Sequence, residues 1–300
     1  MIDNYIGETA ALLTSLCWAF TSIFFTIAVK KIGPVRVNLS RLIVASILLS
    51  VFHYILHGNV LPFEAEWHRW WWLGLSGIIG LVIGDGMLLK AFDLIGTRLA
   101  MLIMSLVPII STVLAWIFLN EILTIIELTA IFITVLGIAW VVLERRNGEN
   151  SMKQRHYAVG VLLAAGGATG QAVGLLLAKK GLVNDFPALS ATLIRMVIAT
   201  FAFWLTTLIQ RRTISFTEIW RNTSARRAII GGSIVGPFLG IWLSLISIKH
   251  AHIGIASTLM ALAPVLLIPL AHWIFKDKVT WRSIGGTLLA MVGVAMIFLL

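Results

Sequence analysis

The residues Gly96 to Glu121 read GTRLAMLIMSLVPIISTVLAWIFLNE. Apart from Arg98 near its start and Glu121 at its end, this stretch carries no charged side chain. Its length matches the roughly 20 apolar residues that a helix needs to cross the hydrocarbon core of a bilayer. It therefore predicts a membrane-spanning helix with Pro108 near its middle. A related stretch, HIGIASTLMALAPVLLIPLAHWIFKD, occupies His252 to Asp277.

The composition of the whole chain also favours a membrane protein. Of the 300 residues, 59% are hydrophobic and 12% are charged, whereas soluble domains average about half and about a quarter. The mean hydropathy is +0.97. Ten apolar runs have membrane length: Ile6 to Val29, Val37 to His57, Trp70 to Phe92, Thr97 to Leu119, Thr124 to Leu143, Tyr157 to Ala178, Pro187 to Ile209, Ala228 to Ile248, Ile253 to Phe275 and Trp281 to Leu300. We predict an all-α integral membrane protein with ten transmembrane helices, which crosses the cell membrane repeatedly.

The charged residues do not indicate a nucleic-acid partner. The net charge is +10, but the basic residues lie in short connections between apolar runs and form no continuous basic face. They are typical of topology signals and of contacts with membrane lipids. The single cysteine, Cys17, excludes a disulfide within the chain, and no His, Cys, Asp and Glu set has metal-ligand spacing. We therefore expect no metal and no cofactor.

The chain divides into two related halves. A polar stretch, ERRNGENSMKQRH, covers residues 144 to 156, and a shift of 156 aligns residues 84 to 143 with 240 to 299, with twelve identities. Pro108 then matches Pro264, and Glu121 matches Asp277. We predict a five-helix repeat at 1–144, a linker at 145–156 and a second repeat at 157–300. Because five is odd, the second repeat enters the membrane from the opposite side, so the repeats are inverted, as in secondary transporters.

Two motifs carry a family resemblance. The sequences RLIVA from Arg41 and RMVIA from Arg195 lie near the start of the second and seventh runs, and Ala-x(7)-Pro followed by an apolar run and an acid recurs in the fourth and ninth. This pattern resembles the EamA family of the drug/metabolite transporter superfamily, over essentially the whole chain. The resemblance implies ten helices in two halves and export of amino acids, metabolites or drugs, often coupled to protons. Trp18 is followed by Ala19 where the family often has Gly, which leaves the subtype open.

Asp85 is the most notable ionisable residue inside an apolar run. An unpaired carboxylate in the bilayer core would cost at least ~2.5 kcal/mol, so it needs a partner, water or a proton. It is a candidate for proton coupling or for binding a substrate ammonium. The alternatives are a structural ion pair with Lys90 or a position nearer the interface.

Three cations are further candidates for the site. Arg41 and Arg195 occupy matching positions in the second and seventh runs. Each either extends to the lipid headgroups or faces a cavity and binds a carboxylate or phosphate. Lys90 is a candidate for the site or an interfacial anchor.

Aromatic, proline and glycine residues complete the candidate set. Trp18 and Trp242 could stack on a substrate, although most aromatic residues in helices simply pack. The prolines remove backbone donors within their helices, and the glycines allow close helix approach. As gates or hinges we single out five residues, for which static packing is the alternative: Pro108, Pro264, Pro237, Gly84 and Gly240.

The side of the membrane that the termini face is ambiguous. The connections on the side of the termini hold four basic residues, Arg69, Lys179, Lys180 and Lys249, and those on the opposite side hold sixteen. Basic residues concentrate on the cytoplasmic side, which places both termini outside. The family resemblance implies that both are cytoplasmic.

The leading functional hypothesis is an alternating-access carrier that exports a small organic solute and works as a monomer, with a dimer as the alternative. A second hypothesis is a membrane receptor or assembly subunit that binds a ligand without transporting it. The motifs GxxxxGK[ST], HExxH and GxSxG are absent from the sequence, and no acid, base and nucleophile converge at one depth, so we do not expect an enzyme.

Overall fold

A computed structural model describes residues 5–144, 154–209, 221–266 and 281–299, and the regular structure in these ranges is helical. In chain order the helices are α1 (Ile6–Ile32), α2 (Pro34–His57), α3 (Trp67–Gly77), α4 (Asp85–Met104), α5 (Val107–Leu119), α6 (Ile125–Glu144), α7 (Gln154–Gly181), α8 (Ala188–Ile209), α9 (Thr223–Ser233), α10 (Ile241–His250), α11 (Ile253–Met260) and α12 (Trp281–Leu299). Most of the predicted linker, at 145–153, lies outside the described residues, as does Asp277.

The helices have the lengths and surfaces of membrane spans. Among the described residues, six helical stretches are long and apolar enough to cross a bilayer, and three shorter apolar helices accompany them. Large hydrophobic side chains also face outward, including Ile55, Ile125 and Trp281, which are 68%, 82% and 87% exposed. Helices that are apolar on all sides are typical of membrane spans. The predicted all-helical membrane architecture is therefore confirmed.

Two π-helical segments interrupt the bundle at matching positions. Ile78–Gly84 joins α3 to α4, and Ile234–Gly240 joins α9 to α10. Their numbers differ by 156, which is the shift that aligns the two halves of the sequence. Pro237 lies inside the second segment and has no backbone N–H to donate, which favours local departure from the α-helical hydrogen-bond pattern.

The helical structure of the stretch Gly96 to Glu121 is interrupted at two places. Gly96 has φ 77° and ψ 154°, a backbone conformation that glycine adopts far more readily than other residues. The chain therefore changes direction within α4, so residues before Gly96 continue the previous helix and residues after it begin a new one. A second irregularity at Ser105 and Leu106 separates α4 from α5, just before Pro108. Ala261 and Leu262 make the matching turn after α11.

The packing of the helices repeats between the two halves. α1 packs along α9, the second π-helical segment and α10, and α7 packs along α3, the first π-helical segment and α4. The first helix of each half therefore packs against the same three corresponding elements of the other half.

The matching helices α2 and α8 also pack against each other. Ser46 hydrogen bonds Thr200 at 2.8 Å, while His53, later in α2, hydrogen bonds Ser190, earlier in α8, at 3.0 Å. The residue later in α2 contacts the residue earlier in α8, so the two helices run antiparallel.

Candidate functional site

A cavity lies between the two halves of the bundle. It encloses about 1080 Å³ including its opening, and α1, α2, α4, α7, α8 and both π-helical segments contribute to its walls. The cavity therefore has walls from both halves of the chain.

Arg41 and Asp85 form an ion pair in the wall of this cavity. Their Nη2 and Oδ2 atoms are 2.6 Å apart, and their side chains are 6% and 19% exposed. Arg41 also donates from Nε to Asn38 Oδ1 at 2.7 Å and from Nη2 to the Leu81 carbonyl at 3.3 Å. Arg41 thus points into the protein interior and not toward the headgroups.

Arg195 reaches the same cavity from α8. It is 4% exposed, and its Nε and Nη1 atoms are buried with no hydrogen-bond partner among the described residues. Its Nη2 lies beside Gly80, where an added Cβ would come within 3.5 Å. The guanidinium therefore carries hydrogen-bonding capacity that the described protein atoms leave unused.

The remaining walls are mostly apolar and adaptable. They include Trp18, Phe25 and Phe92, together with three methionines, Met101, Met104 and Met260. Methionine is flexible and polarizable, so it adapts to ligands of different shape. Gln171 adds an amide from the middle of α7. The cavity is thus suited to an apolar body that carries a small polar group.

Trp242 and Lys90, two other predicted site residues, lie elsewhere. Trp242 packs edge-on against Phe52, with ring centroids 5.5 Å apart, and also contacts Phe238. Lys90 is 47% exposed and forms a salt bridge with Asp93 at 2.8 Å. Asp85 is therefore paired with Arg41 and not with Lys90.

The predicted prolines and glycines occupy different environments. Pro237 and Pro264 line the cavity, and Pro108 is buried at the start of α5. Gly84 and Gly240 end the two π-helical segments. A Cβ on Gly170 of α7 would come within 2.8 Å of the Gly84 Cα. The backbones of α7 and the first π-helical segment therefore approach closely at this point.

A polar network joins several parts of the chain at the end of the bundle where α1 begins. Lys179 forms a salt bridge with Glu121 at 2.6 Å and donates to the Ala251 carbonyl at 2.8 Å. Glu121 in turn accepts from the backbone N–H of Ile253 at 2.8 Å. Gly7 of α1 packs here too, because a Cβ on it would lie 2.7 Å from the Ala251 Cβ. Four parts of the chain meet at this end.

Sequence reasoning did not single out Asn38 or Gln171. Asn38 lies three residues before Arg41 on the same helix face, and Gln171 lies within the apolar part of α7. Both are uncharged polar residues within predicted spans, and this feature could have identified them, since such residues usually hydrogen bond another helix or face a cavity. Within the described residues, no three His, Cys, Asp or Glu side chains are grouped so that they could hold a metal ion.

The helical bundle, its two matching halves and the cavity between them define a membrane transporter built from repeats. The chain belongs to the EamA-like transporter family, whose model matches residues 5–143 and 158–299. This family is part of the drug/metabolite transporter superfamily, and its members are transporters and not enzymes. The resemblance seen in the sequence is confirmed, as is the two-repeat organisation.

Solved structures share the fold. Twenty-eight of their chains match this one. One crystal structure has a TM-score of 0.75 at 19% sequence identity, and the match covers 99% of this chain and 95% of that one. At this identity the similarity concerns the fold alone. No curated protein matches the sequence.

Proposed function

We propose that this protein exports small organic solutes, such as amino acids, metabolites or drugs, across the cell membrane by alternating access. The observation that carries the proposal is the cavity that both halves line, with the Arg41 and Asp85 ion pair in its wall. Membrane-embedded charges that face a cavity mark transport pathways. The outward direction rests on the resemblance to exporters of this family.

The transport unit consists of ten helices in two inverted repeats, 1–144 and 157–300, which the segment 145–156 connects. The antiparallel packing of α2 and α8 supports the inversion, since corresponding helices of inverted repeats run in opposite directions. The cavity forms within one chain, so a monomer is sufficient for transport.

Alternating access requires one closed end and elements that bend. The contacts among Lys179, Glu121, Ala251 and Ile253 support a closed end where α1 begins. The π-helical segments support bending, because irregular turns within helices are frequent at functional sites. Pro108, Pro237, Pro264, Gly84 and Gly240 are the residues that we assign to this movement.

Counterflow in proteoliposomes tests the proposal. A thermal-shift screen of amino acids, nucleosides, sugar phosphates and quaternary amines first identifies a ligand of the purified protein. Liposomes loaded with that unlabelled ligand should then accumulate its labelled form transiently. Saturable binding without exchange would instead support a receptor or assembly subunit, and chemical conversion of the ligand would indicate an enzyme.

Asp85 is the residue to which we assign proton coupling. Protonation of its carboxylate would weaken the ion pair with Arg41 and change the charge of the cavity wall. We expect Asp85→Asn to abolish uptake driven by a pH gradient while counterflow of the same ligand persists.

Asp93→Asn is the matched control for Asp85→Asn, because Asp93 is 41% exposed and pairs with Lys90 outside the cavity wall. It should retain the response to the pH gradient. An unchanged response in Asp85→Asn would contradict the assignment.

A further inference from the structure

The cavity contains a cation whose hydrogen-bond donors are unused. Arg195 is 4% exposed, and its Nε and Nη1 atoms have no hydrogen-bond partner among the described residues. Leaving the donors of a buried charged group without acceptors costs free energy, so such a group normally contacts an acceptor. Arg41 differs, because its guanidinium already contacts Asn38, Leu81 and Asp85. Arg41 is therefore already paired with a carboxylate, whereas Arg195 has donors that still lack an acceptor.

The charges of the cavity wall do not balance. Among the described residues that line it, the charged ones are Arg41, Asp85 and Arg195. Asp85 pairs with Arg41 at 2.6 Å. The wall thus holds two guanidinium groups and one carboxylate, which leaves one positive charge in a setting of low dielectric constant. A buried charge of this kind is stable when a counter-charge accompanies it.

We propose that the cavity binds an organic monoanion, whose carboxylate pairs with the guanidinium of Arg195. This assignment names the substrate class of the proposed transporter and rests on that function. A single carboxylate cancels the excess charge. A zwitterion would leave that charge in place, a cation would add to it, and a dianion such as a phosphate monoester would overcompensate it. The planar guanidinium fork also matches the geometry of a carboxylate.

The walls determine the rest of the ligand. Trp18, Phe25 and Phe92 offer aromatic surface, and Met104 and Met260 offer flexible thioethers. Apolar surface buried by a ligand contributes to binding, and methionine adapts to its shape. The preferred ligand therefore has an aromatic or aliphatic body attached to its carboxylate.

Four probes that share a phenyl body test the inference. Binding of 3-phenylpropanoate, phenylalanine, 2-phenylethylamine and phenyl phosphate to the purified full chain is measured by isothermal titration calorimetry, with chloride as a competitor. We expect 3-phenylpropanoate to bind at least about tenfold more tightly than 2-phenylethylamine, with phenylalanine between them, as one charge-assisted hydrogen bond provides. Tighter binding of the amine, of phenylalanine or of phenyl phosphate would overturn the inference, and so would equal competition by chloride.

Substitutions identify the residue responsible. Arg195→Gln should weaken binding of 3-phenylpropanoate at least about tenfold and remove the preference for the anion. Arg195→Lys keeps the charge but lacks the planar guanidinium, so it should retain the preference for the anion at reduced affinity. If the Gln variant does not fold, the Lys variant provides the test. Lys30→Gln removes an exposed cation at the end of α1 and should change neither quantity. Equal affinity of the wild type and both Arg195 variants for 3-phenylpropanoate would overturn the assignment.

Transport of the same probes separates this inference from the proposed function. If 3-phenylpropanoate binds as expected but shows no counterflow in proteoliposomes, the anion site stands and the transport function fails. If 2-phenylethylamine exchanges and 3-phenylpropanoate does not, the transport function stands and the anion site fails. Counterflow of 3-phenylpropanoate that Arg195→Gln abolishes would support both.

Discussion

At the scale of single residues, two partly buried ion pairs connect parts of the chain that are far apart in sequence. Arg41 and Asp85 form one in the cavity wall, and Glu121 and Lys179 form the other at the end of the bundle where α1 begins. The Glu121 side chain is 11% exposed and also accepts the backbone N–H of Ile253. Removing one partner of a buried pair leaves the other charge uncompensated, which destabilises the folded state.

We expect Lys179→Met to lower the free energy of unfolding by roughly 1–3 kcal/mol, because Glu121 would keep its burial but lose its cation. The lower part of this range is expected, since the Lys179 side chain is 23% exposed and water screens part of the interaction. Thermal unfolding of the purified protein measures the loss.

Lys249→Met is the control for Lys179→Met. Lys249 pairs with Asp185, which is 93% exposed, and pairs at an exposed carboxylate contribute little. A larger loss for Lys249→Met than for Lys179→Met would contradict the burial argument.

At the scale of helices, small residues set how closely the helices approach. α6 and α12 pack along each other, and Gly137 and Gly293 occupy matching positions in them. A Cβ on Gly137 would lie 2.4 Å from the backbone N of Ala290. Close approach through small residues is a common way in which membrane helices associate. Because the Cβ would meet backbone atoms of α12, any side chain at Gly137 would force α6 and α12 apart.

Gly137→Ala should therefore destabilise the packing of α6 against α12, although alanine favours the helix more than glycine does. Gly285→Ala is the matched control within α12, because a Cβ on Gly285 meets nothing within 4 Å. Thermal unfolding should show a lower midpoint for Gly137→Ala and an equal or higher midpoint for Gly285→Ala. Equal midpoints for Gly137→Ala and the wild type would show that the helices tolerate the separation.

At the scale of the whole molecule, corresponding helices of the two halves make corresponding contacts with the other half. α1 meets α9 and α10 as α7 meets α3 and α4. In transporters built from inverted repeats, alternating access is largely a movement of one repeat against the other. The mechanism that we propose would use these matching contacts between the halves.

The proposed five spans in each half would place the segment between the halves across the membrane from both termini. We expect a reporter fused after Leu300 and one fused before Met1 to give the same signal, and a reporter inserted at Asn147 to give the opposite one. The absolute sides decide between the distribution of Lys and Arg, which places the termini outside, and the family resemblance, which places them in the cytoplasm. Equal signals from all three positions would contradict a five-span repeat.

Much of the fold could be predicted from the sequence, because the features involved are local. Membrane-length apolar runs appear in composition, and the 156-residue shift reappears in the two π-helical segments. Asp85, Arg41 and Arg195 could be noticed because ionisable residues stand out within apolar runs. Which cation pairs with Asp85 could not be predicted, because Arg41 lies 44 positions away and Lys90 lies close by in sequence.

The sequence by itself determined that Gly96 to Glu121 enters a membrane and that the chain is a duplication, since partition into a bilayer depends on local hydropathy and repeats depend on residue order. The tertiary structure decided that Trp18 lines the cavity while Trp242 packs against Phe52. It also decided that Arg41 pairs with Asp85, while two buried donors of Arg195 have no partner among the described residues. These properties depend on the rotation and close approach of helices that are distant in sequence, which local composition does not encode.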